Sequence, residues 1–499
     1  MLTILLLIPF LGALVISVLP PEDSGKNRFL ALLTLAIQCV YSFALLIPFQ
    51  AGEAGQQLVD SVPWLPVVGL EFSLGVDGLS LPLVLMNGVL CLVAAFASRS
   101  VDNRSRLYFS LLLVISGAVN GAFLAQNLLL FFIFYELELI PLWLLIAIWG
   151  GANRAYASTK FLIITAVSGV LILGAFLGIA LVTGSADFGI RPILVGQMSL
   201  FTQLLLMGAL LVGFGIKIPL FPFHTWLPDA HTEASTPVSV LLAGVLLKLG
   251  TYGLLRFCLG LFPEAWSVAA PWLAGWAAIS VLYGSLAAIA QTDMKRMVAY
   301  SSVGHMGYVL LAAAAATPLA IMGALFQMVS HGLISAVLFL AVGIVYQQTG
   351  TRDLNVLRGL LNPQRGLPLT GTLMIIGVMA SAGIPGMAGF IAEFLVFKGS
   401  FEHFPLATLL SMVGSGLTAV YFLLLVNRAF FGRLATAPGE TLNPNILDKV
   451  PLFQQLPALS MSALILILGL APHLLVGLSQ AATTQLSDLA SLVPSGGFA

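Results

Sequence analysis

Five ionisable side chains lie where an apolar chain has no ordinary use for them. Lys217 and Lys248, with Glu136, Glu138 and Glu393, fall inside stretches otherwise built of Leu, Ile, Val, Phe, Ala and Gly. If those stretches cross a bilayer, a charge near the middle costs at least about 2.5–3.5 kcal/mol, so such residues pair or line a water path. A lysine withdrawn from water can exist neutral as well as charged, which makes it usable as a proton carrier. A glutamate beside it lowers the cost of burial for both and lets each influence the other's protonation. His305, in SSVGHMGY, and His331, in QMVSHGLIS, add groups that accept and donate near neutral pH. In succession, these residue types could pass protons through an apolar interior.

Lys217 stands one residue before an Ile-Pro pair in GFGIKIPLFPFHTWLPDAH. Glu136, in FYELELIP, is about nine residues into its segment and so roughly 13 Å deep at 1.5 Å per residue; it is the expected partner of Lys217. Glu138, two residues on, points in a different direction, toward a second partner or a neighbouring subunit, and ranks below Glu136. Lys248, in VLLAGVLLKLG, sits about eleven residues past Pro237, near mid-membrane by the same rise. It reads as a central relay site, and the plainer alternative is a lysine snorkelling to an interface. His305 and His331 could link it to Glu393, the terminal carboxylate of the series; for each, the plainer reading is a hydrogen-bonded core histidine. His224 and His231 flank the proline-rich stretch after Lys217, and His231 could mark proton uptake. Asp229, Glu233, Asp293, Lys295 and Arg296 are assigned to loops and to no proton role.

The elements that must hold these residues follow from composition. Of 499 residues, 59% are hydrophobic and 8% charged, and the mean hydropathy is +1.04. A soluble chain carries roughly 25% charged residues. A span needs about 20 apolar residues. By that criterion the sequence predicts an all-α polytopic membrane protein with about fourteen spans, near 2–19, 28–49, 79–97, 107–126, 128–149, 158–183, 199–229, 236–258, 268–291, 296–316, 318–347, 368–398, 402–432 and 455–478. Counted by alternate loops, basic residues gather on one side: Lys26, Arg28, Arg99, Arg104, Arg106, Arg154, Lys160, Lys295, Arg296, Arg352, Arg358, Arg365, Arg428, Arg433 and Lys449. The other side has Arg191 in a loop, with Arg256 and Lys398 at helix ends. Such a bias places the basic side in the cytoplasm, with both termini on the lumenal or periplasmic side.

Two spans should be broken. Pro219, Pro222 and Pro228 interrupt the seventh, and Gly383, Pro385, Gly386 and Gly389 interrupt the twelfth just before Glu393. Each is the fourth member of a five-span group, 4–8 or 9–13. An odd number of spans inverts the second group, so matched interruptions predict an inverted-repeat transporter with its ion path near the midplane. The plainer alternative is packing kinks. The expected organisation is 1–100 for the first three spans, 101–260 and 261–435 for the two repeats, and 436–499 for the last span and a short tail.

Zero formal net charge gives no argument for nucleic acid. Cys39, Cys91 and Cys258 stand singly in apolar runs, which argues against an iron–sulfur cluster, structural zinc or a disulfide framework. No cofactor or metal is expected on this chain. Met1–Val18 lacks a basic leader and a small-residue cleavage site and reads as a retained first helix.

YELELIP, GIKIPLFPFHTWLPDAHTEAST, LLAGVLLKLGTYGLLRF, AQTDMKRMVAYSSVGHMGY and the IPG…FIAEF segment resemble the antiporter-like subunit four, or chain M type, of complex I, over roughly residues 75–435. YELELIPLW and NRAFFGRL are most similar to the chain-four subunits of cyanobacterial and chloroplast NAD(P)H–plastoquinone oxidoreductases. The resemblance implies a proton-translocating membrane subunit with Glu136, Lys217, Lys248, His331 and Glu393 in the family's proton-carrying positions. It implies other membrane subunits as partners. Quinone (plastoquinone) and NAD(P)H or ferredoxin would be used elsewhere in the complex, and the site would be the thylakoid membrane or a bacterial inner membrane. A related subunit type has a lysine at the last position and a long lateral helix; Glu393 and the short tail favour subunit four. The compact N-terminus and the Arg428–Lys449 loop are similar to variant chain-four subunits of cyanobacterial carbon-dioxide-uptake complexes. The same motifs would fit a subunit of a multi-subunit sodium/proton antiporter.

Overall fold

Helices form wherever the sequence offers a long apolar run, because a backbone inside lipid must satisfy its own hydrogen bonds. A computed structural model describes residues 1–18, 23–99, 101–185, 188–190, 195–434 and 447–491. The N-terminal helices are α1 (Leu2–Val18), α2 (Ser24–Ala44), α3 (Leu81–Ala97), α4 (Ser105–Leu124), α5 (Leu128–Leu137), α6 (Leu139–Trp149) and α7 (Arg154–Thr183). The middle of the chain holds α8 (Leu200–Lys217), α9 (Trp226–Glu233), α10 (Thr236–Leu259), α11 (Pro263–Ile289), α12 (Met294–Ala315) and α13 (Pro318–Thr349). The last are α14 (Pro368–Ser381), α15 (Ala388–Phe401), α16 (Pro405–Ala429), α17 (Leu452–Leu470) and α18 (His473–Ser491). The chain is an all-α polytopic membrane protein, and each of the fourteen apolar stretches contains helix. Arg191 and the 435–446 part of the Arg428–Lys449 loop lie outside the described residues.

Two elements depart from the sequence expectation. The stretch expected to run on to 478 stops at Leu470, where Pro472 offers no backbone donor, and restarts as α18. Between α2 and α3 lies an antiparallel hairpin, β1 (Gln57–Leu65) and β2 (Leu70–Val76), turned through Gly69 at φ 69°. A search for 20-residue apolar windows passes over strands this short.

α10, α12 and α13 are covered almost entirely by other helices, while α2, α7, α11 and α16 turn Val40, Val170, Leu181, Trp272 and Leu406 outward. The ionisable residues at issue therefore lie in or against the inner helices. α10 and α13 approach closely where two glycines meet: a Cβ on Gly332 would lie 3.2 Å from the Gly244 carbonyl oxygen. Small residues at such crossings let backbones pack tightly. Of the cysteines, Cys91 and Cys258 are fully buried and Cys39 is half-buried.

Both expected breaks are present. After Lys217 the α-helix stops, Leu220 N bonds back to Gly215 O at 2.8 Å, and the chain resumes as α9. The Trp226 indole donates to Ile216 O at 2.8 Å and the Trp276 indole to Phe221 O, while Phe221 N donates to Ser280 Oγ at 3.2 Å. Side chains thus satisfy the backbone groups that the prolines release. In the second break Gly383 and Gly386 take φ of +68° and +91°, a region open chiefly to glycine. A Cβ on Gly389 would stand 1.9 Å from Ala380 O. Gly389→Ala should therefore destabilise the chain by about 3 kcal/mol, the upper range for overpacking; loss of the protein from detergent-solubilised membranes on mild heating measures it.

The basic loops converge at one end of the bundle. Lys160 pairs with Asp229 at 2.7 Å, Arg296 with the same carboxylate at 3.4 Å, and Arg352 with Asp293 at 3.2 Å. Asp229 and Glu233 lie in α9 and Lys295 and Arg296 in the first turn of α12 instead of in loops, and Lys295 is buried and donates to Ala234 O. The hairpin and α18 lie at the opposite end, where Ser487 Oγ donates to Ala316 O at 2.6 Å.

Candidate proton-transfer site

Pro141 lacks the donor that would bond Leu137 O, and the fifth span divides there into α5 and α6, with Glu138 at the joint. Lys217, the last residue of α8, reaches this joint. Its Nζ lies 2.7 Å from Glu138 Oε1, donates to Tyr135 O at 3.1 Å, and sits 3.4 Å from the centroid of the Tyr135 ring. Lysine and glutamate are each about 1% exposed. The ion pair is therefore Lys217–Glu138, which corrects the expected pairing with Glu136. Glu136 is half-buried and turns toward α7, where a Cβ on Gly169 would come within 2.5 Å of its Oε1. Two residues apart on a helix cannot face one partner, and the joint at Pro141 decides which one does.

Lys248 lies in the α-helical part of α10, Leu247–Gly253, between two π-helical turns, Leu242–Leu246 and Leu254–Leu259. Such turns recur at functional sites. Its Nζ contacts Ala243 O at 2.5 Å and His331 Nδ1 at 2.7 Å. No carboxylate pairs with it among the described residues. The ring centroids of His331 and His305 are 5.6 Å apart. His305 is held by Gln327 Nε2 on Nδ1 at 3.2 Å and by Ser381 Oγ on Nε2 at 2.9 Å. Ser381 closes α14 at the second break. Beyond it a small cavity is lined by His305, His331, Ser381 and Glu393. Glu393 is buried, its Oε2 accepts from Ser415 Oγ at 2.6 Å, and a Cβ on Gly383 would come within 2.7 Å of it. The bare glycine at the break leaves room for the carboxylate.

The structure thus gathers Lys248, His331, His305 and Glu393 into one polar line, and Lys217 and Glu138 into a separate pair. His231 is buried with both ring nitrogens unpartnered among the described residues, its ring stacked on Phe339 at 4.6 Å. His224 is buried against Phe221 and Tyr283. Among the described residues, neither histidine hydrogen-bonds to the line. Ser301, Ser302 and Ser330, noted in the sequence beside the histidines, bond back to their own helices. Ser381, Gln327 and Ser415 hold the line instead. Sequence reasoning missed them because hydroxyl and amide residues are frequent in helices and carry no motif. Among the described residues no three His, Cys, Asp or Glu side chains converge as metal ligands.

Residues 125–418, which carry every member of both clusters, match the model of the family described as NADH:quinone oxidoreductase/Mrp antiporter, transmembrane. The chain belongs to the NADH:quinone oxidoreductase/Mrp antiporter family. A curated relative, NAD(P)H-quinone oxidoreductase chain 4 2 of Thermosynechococcus vestitus, is 40% identical over 97% of this chain and 91% of its own length. A chain of respiratory complex I from Thermus thermophilus superimposes with a TM-score of 0.87 at 28% identity, covering 98% of this chain and all of the other. A chain of the Mrp complex from Dietzia sp. shares the fold, with a TM-score of 0.86 at 24% identity over 98% of this chain and 97% of that one. Within the NADH:quinone oxidoreductase/Mrp antiporter family, the fold is common to oxidoreductase and antiporter assemblies, and the residue-level likeness lies with chain 4.

Proposed function

We propose that this chain is a proton-translocating membrane subunit of a redox-driven NAD(P)H- or ferredoxin–quinone oxidoreductase of the complex I type. The single observation that carries the proposal is the line Lys248–His331–His305–Glu393. It is buried and runs from a π-flanked lysine, through two neighbouring imidazoles, to a cavity that the carboxylate at a helix break lines. Its members can each hold a proton, and burial among apolar helices excludes competing water. In the proposed sequence, an electric change transmitted from the redox arm separates Lys217 from Glu138. Lys248 gives its proton to His331, His305 carries it past Ser381, and Glu393 releases it. His224 and His231 supply protons from the basic end, which is cytoplasmic; both termini are lumenal. The two breaks, one by Lys217 and one by Glu393, support the inverted arrangement of spans 4–8 and 9–13 and the 1–100, 101–260, 261–435 and 436–499 division.

The assembly is membrane-bound, with other membrane subunits and lipid as neighbours. Quinone, here plastoquinone, and the electron donor act elsewhere in it. The cyanobacterial relative supports the thylakoid membrane as the location. The carbon-dioxide-uptake variant is the finer reading of the 428–449 loop, and mass spectrometry of copurifying chains tests it.

The Lys217 pair offers a test internal to the site. In vesicles holding the assembled complex, Glu138→Gln should lower quinone-linked proton uptake by about tenfold, less than the ~10²-fold of a positioned proton-transfer group because the pair biases the relay and does not carry its proton. Glu136→Gln should have a clearly smaller effect. The reverse order would return the pairing to Glu136. Uptake that falls when sodium is raised would favour a sodium/proton antiporter subunit.

A further inference from the structure

A cavity of about 720 Å³ opens at the basic end, where the ends of α3, α6 and α13 meet the starts of α10, α12 and α17. Lys295 lines it and is 4% exposed. One of its three donors goes to Ala234 O, and among the described residues no other acceptor takes the rest. Arg99 lines it too, its guanidinium 3.9 Å from the centroid of the Phe453 ring and 4.9 Å from that of Phe96. Aromatic faces cover the plane of the guanidinium and leave its N–H edges for an anion. The Arg99 Nε is buried and has no partner among the described residues. Arg28 Nη2 donates to Phe96 O at 3.1 Å, and Arg28 stands close enough to Arg99 for the two charges to repel.

Among the described residues, Arg28, Arg99 and Lys295 have no carboxylate partner. The two carboxylates nearby have other partners: Glu233 Oε2 accepts from Asn153 N at 2.9 Å, and Asp293 pairs with Arg352 at 3.2 Å. With Arg28, Arg99, Lys295 and Arg352 set against Glu233 and Asp293, the corner keeps two positive charges in excess. Cations gathered in this way repel one another, and an anion between them turns that cost into attraction. Elsewhere the wall is apolar, with Leu340, Ile344 and Trp149. Trp149 and Tyr346, the latter 49% exposed, are of the types that settle at the depth of lipid headgroups. Basic pockets between helices on the cytoplasmic side take anionic headgroups.

We propose that this corner binds the headgroup of an anionic membrane lipid, a phosphate or a sulfonate, with Arg99 and Lys295 on the anion and the acyl chains along the apolar wall. Inorganic phosphate offers the same charge but nothing to cover Leu340, Ile344 and Trp149, so the lipid is the better fit. Lys295 also holds Ala234 O, in the connection from α9 to α10. A bound headgroup therefore braces the start of the helix that carries Lys248.

The test uses the whole complex in phosphatidylcholine vesicles that contain graded fractions of a photoactivatable phosphatidylglycerol, with crosslinked peptides mapped by mass spectrometry. Crosslinks should fall on residues 96–99, 232–237 and 340–347. Unlabelled phosphatidylglycerol should displace them, and inorganic phosphate should not. Displacement by phosphate would assign the corner to a free anion and overturn the lipid. Equal displacement by added phosphatidylcholine would overturn recognition of charge. Absence of crosslinks on these segments would mean that a neighbouring protein covers the corner, and overturns the site. Arg99→Gln with Lys295→Met should raise the half-saturating probe fraction at these segments about 25-fold, about fivefold for each basic contact at the membrane surface, with labelling of other chains unchanged. An unchanged fraction overturns the proposal. If the double variant does not accumulate, Arg99→Gln alone should raise the fraction about fivefold, and no change counts against the site. Binding is read without turnover, so failure of the proton-relay reading leaves these outcomes as they are.

Discussion

Lys248→Met should leave the complex assembled and its quinone reduction measurable, while proton uptake linked to that reduction falls by about 10²-fold, the lower range for removal of a positioned proton-transfer group. Methionine matches the lysine stem in length and apolar character, so the packing between α10 and α13 is kept. Replacement removes a charged group from an apolar interior, which relieves a cost and adds none. Loss of pumping with full assembly therefore isolates the proton-carrying role. The contacts to Ala243 O and His331 Nδ1 lie on the lysine alone, so nothing else on α10 can take its place. Parallel assays of vesicle acidification and of complex content by native electrophoresis decide it: undiminished acidification would reduce the lysine to a structural residue.

The second large effect is expected at Glu393. Glu393→Gln keeps the shape and an acceptor for Ser415 Oγ, yet cannot take up a proton. Pumping should fall by a similar factor of about 10². Glu393→Asp should retain part of it, because the shorter side chain still titrates within the cavity beside Ser381. A glutamine variant that pumps as well as wild type would place the release group elsewhere. Gly383 gives a control of another kind, since its φ of +68° and the closeness of its Cβ position to Glu393 Oε2 leave no space for a side chain.

The breaks were legible in the sequence because their causes are local. A proline removes its own donor wherever it stands, and Pro219, Pro222, Gly383 and Gly386 act within a few residues of their positions. Depth along a helix is likewise a matter of counting. Direction around the helix is not. Glu136 and Glu138 point about 200° apart around the helix, and which of the two directions faces α8 depends on how the helices pack, so a 3.6-residue count cannot say which glutamate meets Lys217. Glu138 does so, and Glu136 was the expectation. Partnerships across the chain were illegible for a different reason. Asp77 and Arg256 form an ion pair across 179 residues of sequence, and Asp77 sits in a connection that an apolar-window reading leaves blank. Ser381 and Gln327 hold His305 only because α12, α13 and α14 meet there.

The depth of the cysteines has a practical side. Cys91 is closed off beside Asn87, whose Oδ1 accepts from its thiol at 3.2 Å, and Cys258 lies within the second π-helical turn with no exposed surface. Cys39, inside the α2 span, is the native thiol that keeps some exposed surface. Cys39→Ala then yields a background silent to labelling, on which a single cysteine placed in the hairpin or beside Arg352 reports the compartment each end of the molecule faces.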